Sequence, residues 1–350
     1  MNKYQHHIDQ VKSLNLSDYI TLTRQHVKQA SHIDNSPFFL KGEYQKPLVI
    51  LTHGFSSSAY AMRSLAYQLN EQGYHCFAPL LLGHGTTPNE LLNIPYLSWL
   101  DQIDHLITQA ASKYSRIHLI GHSYGGLLSM LTALKYPDVI QSITLFAPAF
   151  GLNTPWVSSL PPFISPISKV IPVKPFTHVK SLCGSDKFSY NEFPMQAAAE
   201  IVKHIKKTKQ QLKKTLKQPI FMIISTEDET TSYQVALNYF NHQNNPLNYC
   251  RVYSALDDFQ SEDKRIKIIN SREFSAQIVD FSHLGMHIDI NDPHYGIEGN
   301  YYHNEKPYPL IFGAVSAKNK LKIKNLKRIA FNPDFFALSQ KLLQFLNQFE

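Results

Sequence analysis

Residues 116–136 read RIHLIGHSYGGLLSMLTALKY. The stretch opens on a short apolar run, Ile117 to Ile120, turns through Gly121-His122-Ser123-Tyr124-Gly125, and continues in a run with helical spacing. A serine hydroxyl is a weak nucleophile at neutral pH, so it must stand where a histidine can take its proton. A sharp turn between strand and helix provides such a place. Gly121 and Gly125 permit the turn because larger side chains would crowd the neighbouring backbone. Ser123 is therefore the candidate nucleophile.

Working outward, strand-like runs occur at Leu48–Thr52, His75–Pro79, Ile143–Phe146, Ile220–Ile224 and Tyr249–Tyr253. Most are nearly continuous in apolar residues, as strands buried on both faces should be. Helical spacing falls between them at Ala59–Glu71, Ser98–Ser112, Gly125–Tyr136 and Thr231–Asn241. The alternation implies a mostly parallel twisted sheet with helices on both faces and one functional edge at the strand C-termini. The segments ITLTRQHV and SPFFLKG, before Pro47, are expected to open the sheet as an antiparallel pair. Phe335–Phe349 is expected to close the chain as an amphipathic helix. Two regions break the rhythm: a proline-rich then basic stretch at 151–217, and a region near 256–329 with the runs IKIIN and AQIVDF and a long polar loop.

The strand LVILT runs into His53-Gly54-Phe55-Ser56, and residues 73–88 read GYHCFAPLLLGHGTTP. With the turn around Ser123, these segments resemble α/β-hydrolases, in particular bacterial carboxylesterases and monoacylglycerol-lipase-like enzymes. The resemblance implies the α/β-hydrolase fold: a core from 1–150 and 218–350, with 151–217 inserted as a cap. It also implies an oxyanion hole formed by the N–H groups of Phe55 and Tyr124. His53 and His122 would support these turns without acting as the base. The similarity weakens after Phe150.

The resemblance further implies the order nucleophile, acid, histidine. The strand-like run before Thr226 leads into Glu227-Asp228-Glu229. Asp228 is the expected acid, with Glu227 and Glu229 as rivals because a one-residue shift of the strand end would exchange them. The histidines downstream are His242, His283, His287, His294 and His303. His283 is the expected base because it follows AQIVDFS, just past a strand-like run. His287 is its leading rival. The nearest strand in the expected place, YCRVY, ends thirty positions before His283, so the chain must make an excursion and return. His283 and His287, with Asp289 beyond, have a spacing that could hold a metal on a helix. Gly285 between them and the missing HExxH glutamate argue against that reading.

The chain has 350 residues, 43% of them hydrophobic and 17% charged, enough for a large core. Its net charge of +7 gathers in KHIKKTKQQLKKTLK (203–217) and KNKLKIKNLKR (318–328). Solvated faces account for both, a weak attraction to an anionic membrane surface stays open, and no nucleic-acid motif accompanies them. Cys76, Cys183 and Cys250 are too scattered for a disulfide framework or zinc site. The first twenty residues lack the apolar core of a signal peptide and no run reaches membrane-span length, which gives the expectation of a cytoplasmic protein.

The expected activity is hydrolysis of carboxylic esters, with medium or long acyl chains suggested by the apolar stretch Trp156–Phe176. No cofactor or metal is implied. Serine at position 123 disfavours dehalogenases and epoxide hydrolases, which use aspartate there. The alternatives are a thioesterase, an acyltransferase, a non-catalytic binding protein, or a proline-iminopeptidase-like enzyme using Glu192 and Glu200 to receive an amine.

Overall fold

The computed structural model describes residues 15–153, 178–180, 186–302, 310–316, 319 and 322–350. Eight strands form one sheet: β1 (Phe38–Leu40), β2 (Leu48–Thr52), β3 (His75–Ala78), β4 (Ile117–His122), β5 (Ile140–Phe146), β8 (Ile220–Ser225), β9 (Tyr249–Ser254) and β10 (Ile266–Asn270). Their spatial order is β1-β3-β2-β4-β5-β8-β9-β10. Only β1 runs antiparallel to its neighbour; every other pair is parallel. Leu48 and Ile50 enter the core on one face, Val49 and Leu51 on the other. That double burial explains the uninterrupted apolar reading of LVILT.

The helices α2 (Arg63–Asn70), α3 (Tyr96–Ala111), α4 (Tyr124–Lys135), α6 (Tyr233–Asn241) and α7 (Phe335–Leu346) lie where helical spacing places them, within a few residues. The opening differs from expectation. ITLTRQHV belongs to helix α1 (Leu16–Ala30), and only SPFFLKG yields a strand, β1, which pairs with β3. The β-branched residues suggest a strand, but Tyr19, Thr23 and Val27, four apart, bury one helical face, and the Asn15 side chain caps the start by accepting from the Asp18 N–H.

Between β5 and β8 the described chain forms a separate antiparallel pair, β6 (His178–Lys180) with β7 (Glu192–Pro194), followed by helix α5 (Met195–Lys207). The expected acyl-covering stretch Trp156–Phe176, Cys183 and His303 lie outside the described residues. In the late region IKIIN is the edge strand β10, whereas AQIVDF is not a strand and makes one isolated bridge, Ile278 to Phe312. That segment turns back across the ends of finished strands, so it cannot extend a ladder. It rests on a small parallel pair, β11 (Ile311–Gly313) and β12 (Leu326–Arg328). Among the described residues no helix is long and apolar enough to cross a membrane.

Candidate active site

Strand β4 ends at His122 and helix α4 begins at Tyr124, leaving Ser123 alone at the turn with φ 54° and ψ −115°. A positive φ at a non-glycine residue is strained and persists only where the surroundings fix it. The Ser123 N–H donates to Phe146 O at 2.8 Å, and the glycines leave no alternative path. A Cβ on Gly121 would sit 2.3 Å from Gly125 O, and one on Gly125 only 2.1 Å from Thr52 O. Strand β2, β4 and helix α4 therefore meet at backbone contact, as the sequence pattern requires.

The turn after β2 approaches the same point. A Cβ on Gly54 would lie 2.9 Å from His122 Nδ1 and 3.1 Å from Ser123 Cβ. His53 holds this turn: its Nδ1–H donates to Gly54 O at 2.8 Å while Nε2 accepts from the Leu81 N–H at 3.0 Å. Burial, with a contribution from His84, pushes the His53 pKa down to about 3, so the ring stays neutral. Tyr124 is the first helical residue, and its N–H has no intrahelical acceptor. Among the described residues neither that N–H nor the Phe55 N–H finds a partner.

The structure brings Ser123, His283 and Asp228 into one row. His283 Nε2 lies 2.8 Å from Ser123 Oγ, and His283 Nδ1 lies 2.7 Å from Asp228 Oδ2. Asp228 follows β8 and is buried. Its Oδ1 accepts from the Thr230 and Thr231 N–H groups at 2.7 and 2.8 Å, and its Oδ2 accepts from Thr231 Oγ1 at 2.8 Å. Burial alone would raise this carboxyl's pKa; the charge and hydrogen bond of His283 and the two backbone donors outweigh it and hold the group below the usual range. An ionised Asp228 can only accept, so Nδ1 carries the imidazole proton and Nε2 is left to accept from Ser123.

Neither rival acid reaches the imidazole. Glu227 turns toward Thr226 Oγ1 and the Ala255 N–H. Glu229 accepts from the main-chain N–H of His283 at 3.1 Å and pairs with Arg328, whose Nη2 lies 2.6 Å away. The loop carrying His283 is fixed at several further points. Ser225 Oγ donates to Phe281 O, Ser282 Oγ donates to Ile329 O, and His122 Nε2–H donates to His283 O at 3.0 Å. The last of these bonds joins His283 directly to the turn at Ser123, and the first two tie its loop to the end of β8 and to the segment after β12.

None of the other described histidines downstream of Asp228 bonds Ser123 Oγ. His287 is fully buried, its ring 4.3 Å from that of His122, and burial followed by the nearby His283 lowers its pKa to about 3. His242 bonds the helix-end carbonyl of Asn238, and His294 pairs with the buried Asp186 at 2.9 Å. His283 and His287 do not share a ligand position. Among the described residues no group of three or more His, Cys, Asp or Glu could hold a metal ion.

Beside Ser123 stands an aromatic wall. The Phe55 ring meets those of Phe193 at 5.0 Å, His84 at 5.4 Å, Trp99 at 6.0 Å and Tyr124 at 6.5 Å, all edge to face. The Tyr124 hydroxyl reaches His204 Nδ1 on α5 at 2.8 Å. Phe193 and His204 both lie between β5 and β8, and nothing in the sequence pairs them with Phe55 and Tyr124.

A protein family described as serine aminopeptidase, S33 (Hydrolase_4) matches residues 43–271. The chain belongs to this family. It is an α/β-hydrolase, similar to a carboxylesterase of Bacillus subtilis, with 35% identity over 102 residues, 29% of this chain and 41% of the relative. A thermostable monoacylglycerol lipase of Bacillus sp. (strain H-257) is 24% identical over 184 residues, 51% of this chain and 70% of that enzyme. Among solved structures, one from a study of the metagenome-derived lipolytic enzymes LipS and LipT superposes with a TM-score of 0.51 at 20% identity. That superposition covers 67% of this chain and 85% of the other, and shows a shared fold.

Proposed function

We propose that this α/β-hydrolase cleaves carboxylic esters through an acyl-enzyme, with Ser123 as nucleophile, His283 as base and Asp228 as its orienting acid. The observation that carries the reading is the position of His283, one ring nitrogen on Ser123 Oγ and the other on the buried Asp228. His283 Nε2 takes the hydroxyl proton as Oγ attacks the carbonyl carbon, and the carbonyl electron pair moves to oxygen. The Phe55 and Tyr124 N–H groups face the developing oxyanion. As the tetrahedral species collapses, the imidazolium passes its proton to the leaving alkoxide. Water then attacks the ester of Ser123 by the same route, releasing the acid and restoring the hydroxyl.

The apolar wall at Phe55, Trp99 and Phe193 supports an acyl group of medium or long chain over a short polar one. The reading of 151–217 as a cap is supported by its described residues: β7 brings Phe193 against Phe55, and α5 brings His204 to the Tyr124 hydroxyl. The aminopeptidase alternative requires a free carboxylate near the site. Glu200 is already engaged, accepting from the Tyr96 N–H at 3.1 Å and pairing with Lys203 at 3.3 Å, which favours the ester. The exposed lysines between Lys203 and Lys217 support a weak, salt-sensitive attraction to anionic lipid surfaces.

Labelling with a fluorophosphonate probe, with Ser123→Ala alongside and a p-nitrophenyl ester chain-length series, tests the reading. Labelling lost in Ser123→Ala, with turnover rising from acetate to octanoate, is expected. Folded wild-type protein that neither labels nor hydrolyses any ester would overturn it.

A further inference from the structure

The late excursion places one basic residue where the active serine's partner loop needs support. Arg328 ends β12, and its side chain is 5% exposed; that of Glu229, its partner, is 4% exposed. Glu229 immediately follows Asp228, and its Oε2 accepts from the His283 N–H. One carboxylate thus connects the acid's turn to the histidine's main chain, and the guanidinium holds that carboxylate in place. Arg328 is held in turn: its carbonyl accepts from Tyr302 Oη at 2.8 Å, and the Ala330 N–H donates to the same Tyr302 Oη at 2.8 Å. Ile329 donates to Gly313 O across the small β11–β12 pair.

We propose that Arg328 and Glu229 are positioning residues for His283, and that the region near 256–329 has as one task the delivery of this arginine. The proposal rests on His283 acting as the base. A buried carboxylate left without its cation shifts or takes up a proton, because an uncompensated buried charge is costly. A displaced Glu229 no longer reaches the His283 N–H, and a neutral one, which still accepts, holds it less firmly. The imidazole then loses its registry between Ser123 Oγ and Asp228. A misplacement on the scale of an ångström costs about a hundred-fold in rate without weakening substrate binding.

The test compares Arg328→Met, Glu229→Gln, the double variant, Arg328→Lys and His283→Ala with wild type. Read out are kcat and KM on a p-nitrophenyl ester, the rate of fluorophosphonate labelling, and the thermal midpoint. Arg328→Met is expected to lose about a hundred-fold in kcat and in labelling rate, with KM within about two-fold. Arg328→Lys should recover part of that loss. The double variant, which removes both charges of this pair, should regain part of the thermal midpoint and not the rate. It also carries the test if either single variant fails to fold. Wild-type kcat in folded Arg328→Met or in the folded double variant would overturn the positioning role while leaving the base assignment intact. Turnover that survives in His283→Ala would instead overturn the base, and this proposal with it.

Discussion

Three acidic residues stand in succession and two histidines stand four apart, and neighbours in sequence meet unlike surroundings. Asp228 gathers two backbone donors, a threonine hydroxyl and the His283 ring, whereas Glu229 beside it faces an arginine and a peptide N–H. Asp228→Asn should keep the shape and reverse the tautomer, since an amide N–H cannot accept from Nδ1–H. A drop in kcat of about 10³ to 10⁴, with little change in KM, is expected. Steady-state kinetics on a chromogenic ester checks it; wild-type kcat would argue against Asp228 as the acid. His283→Ala should abolish labelling by the probe, and His287→Ala should act mildly, mainly through lost packing against His122 and Phe146. Equal loss in both, with folding intact, would leave the base unassigned. Gly125→Ala tests the turn itself. Its Cβ would meet Thr52 O at 2.1 Å, so the helix must lift from β2 and Ser123 must move, giving folded but poorly labelled protein.

At the scale of elements, the strands and the turn at Ser123 were legible because one local rule decides each of them. A strand buried on both faces has to be apolar throughout, and a backbone contact has to be glycine. Helix α1 was misread because Ile20, Thr21, Thr23 and Val27 favour strands locally, while the face formed by Tyr19, Thr23 and Val27 gains more from burial against the core. AQIVDF shows the same limit from the other side, since an apolar run can cover a floor as well as extend a sheet. Order along the chain is what singles out Asp228 and His283 as expectations, whereas nothing local points to Arg328, which lies 45 positions past the histidine. The floor under the His283 loop makes its own prediction. A Cβ on Gly285 would come within 2.7 Å of Phe331 O and 2.8 Å of Phe331 N, backbone atoms that cannot yield cheaply. Gly285→Ala should therefore push the loop off the segment after β12, lowering both the thermal midpoint and kcat. A variant with a lowered midpoint and unchanged kcat at a temperature where it is fully folded would show that the floor does not set the position of His283.

Among the described residues six buried imidazoles have lowered pKa values, and together they shape the response to acid. Burial is the first cause in each of six cases: it lowers His53 and His287 to about 3, His84, His118 and His204 to about 4, and His122 well below its ordinary value. All six are neutral in the folded chain, while in the unfolded chain each takes up a proton near pH 6.5. Below that pH the unfolded state binds more protons, so stability is complete above about 6.5 and falls as the pH drops toward the folded values. Each group contributes about 1.4 kcal/mol per pH unit across that window, so several together rival a typical folding free energy of about 5–15 kcal/mol. Asp228, whose pKa is shifted downward, adds a second loss only below about pH 4, where its unfolded form protonates. Thermal midpoints between pH 7.5 and 4.5 should therefore fall from about 6.5 downward, opposed only in part by Glu227 and Asp280, whose carboxyls burial pushes up. A midpoint that stays level to pH 5 would mean that these rings open to water, or find a charged partner, on protonation.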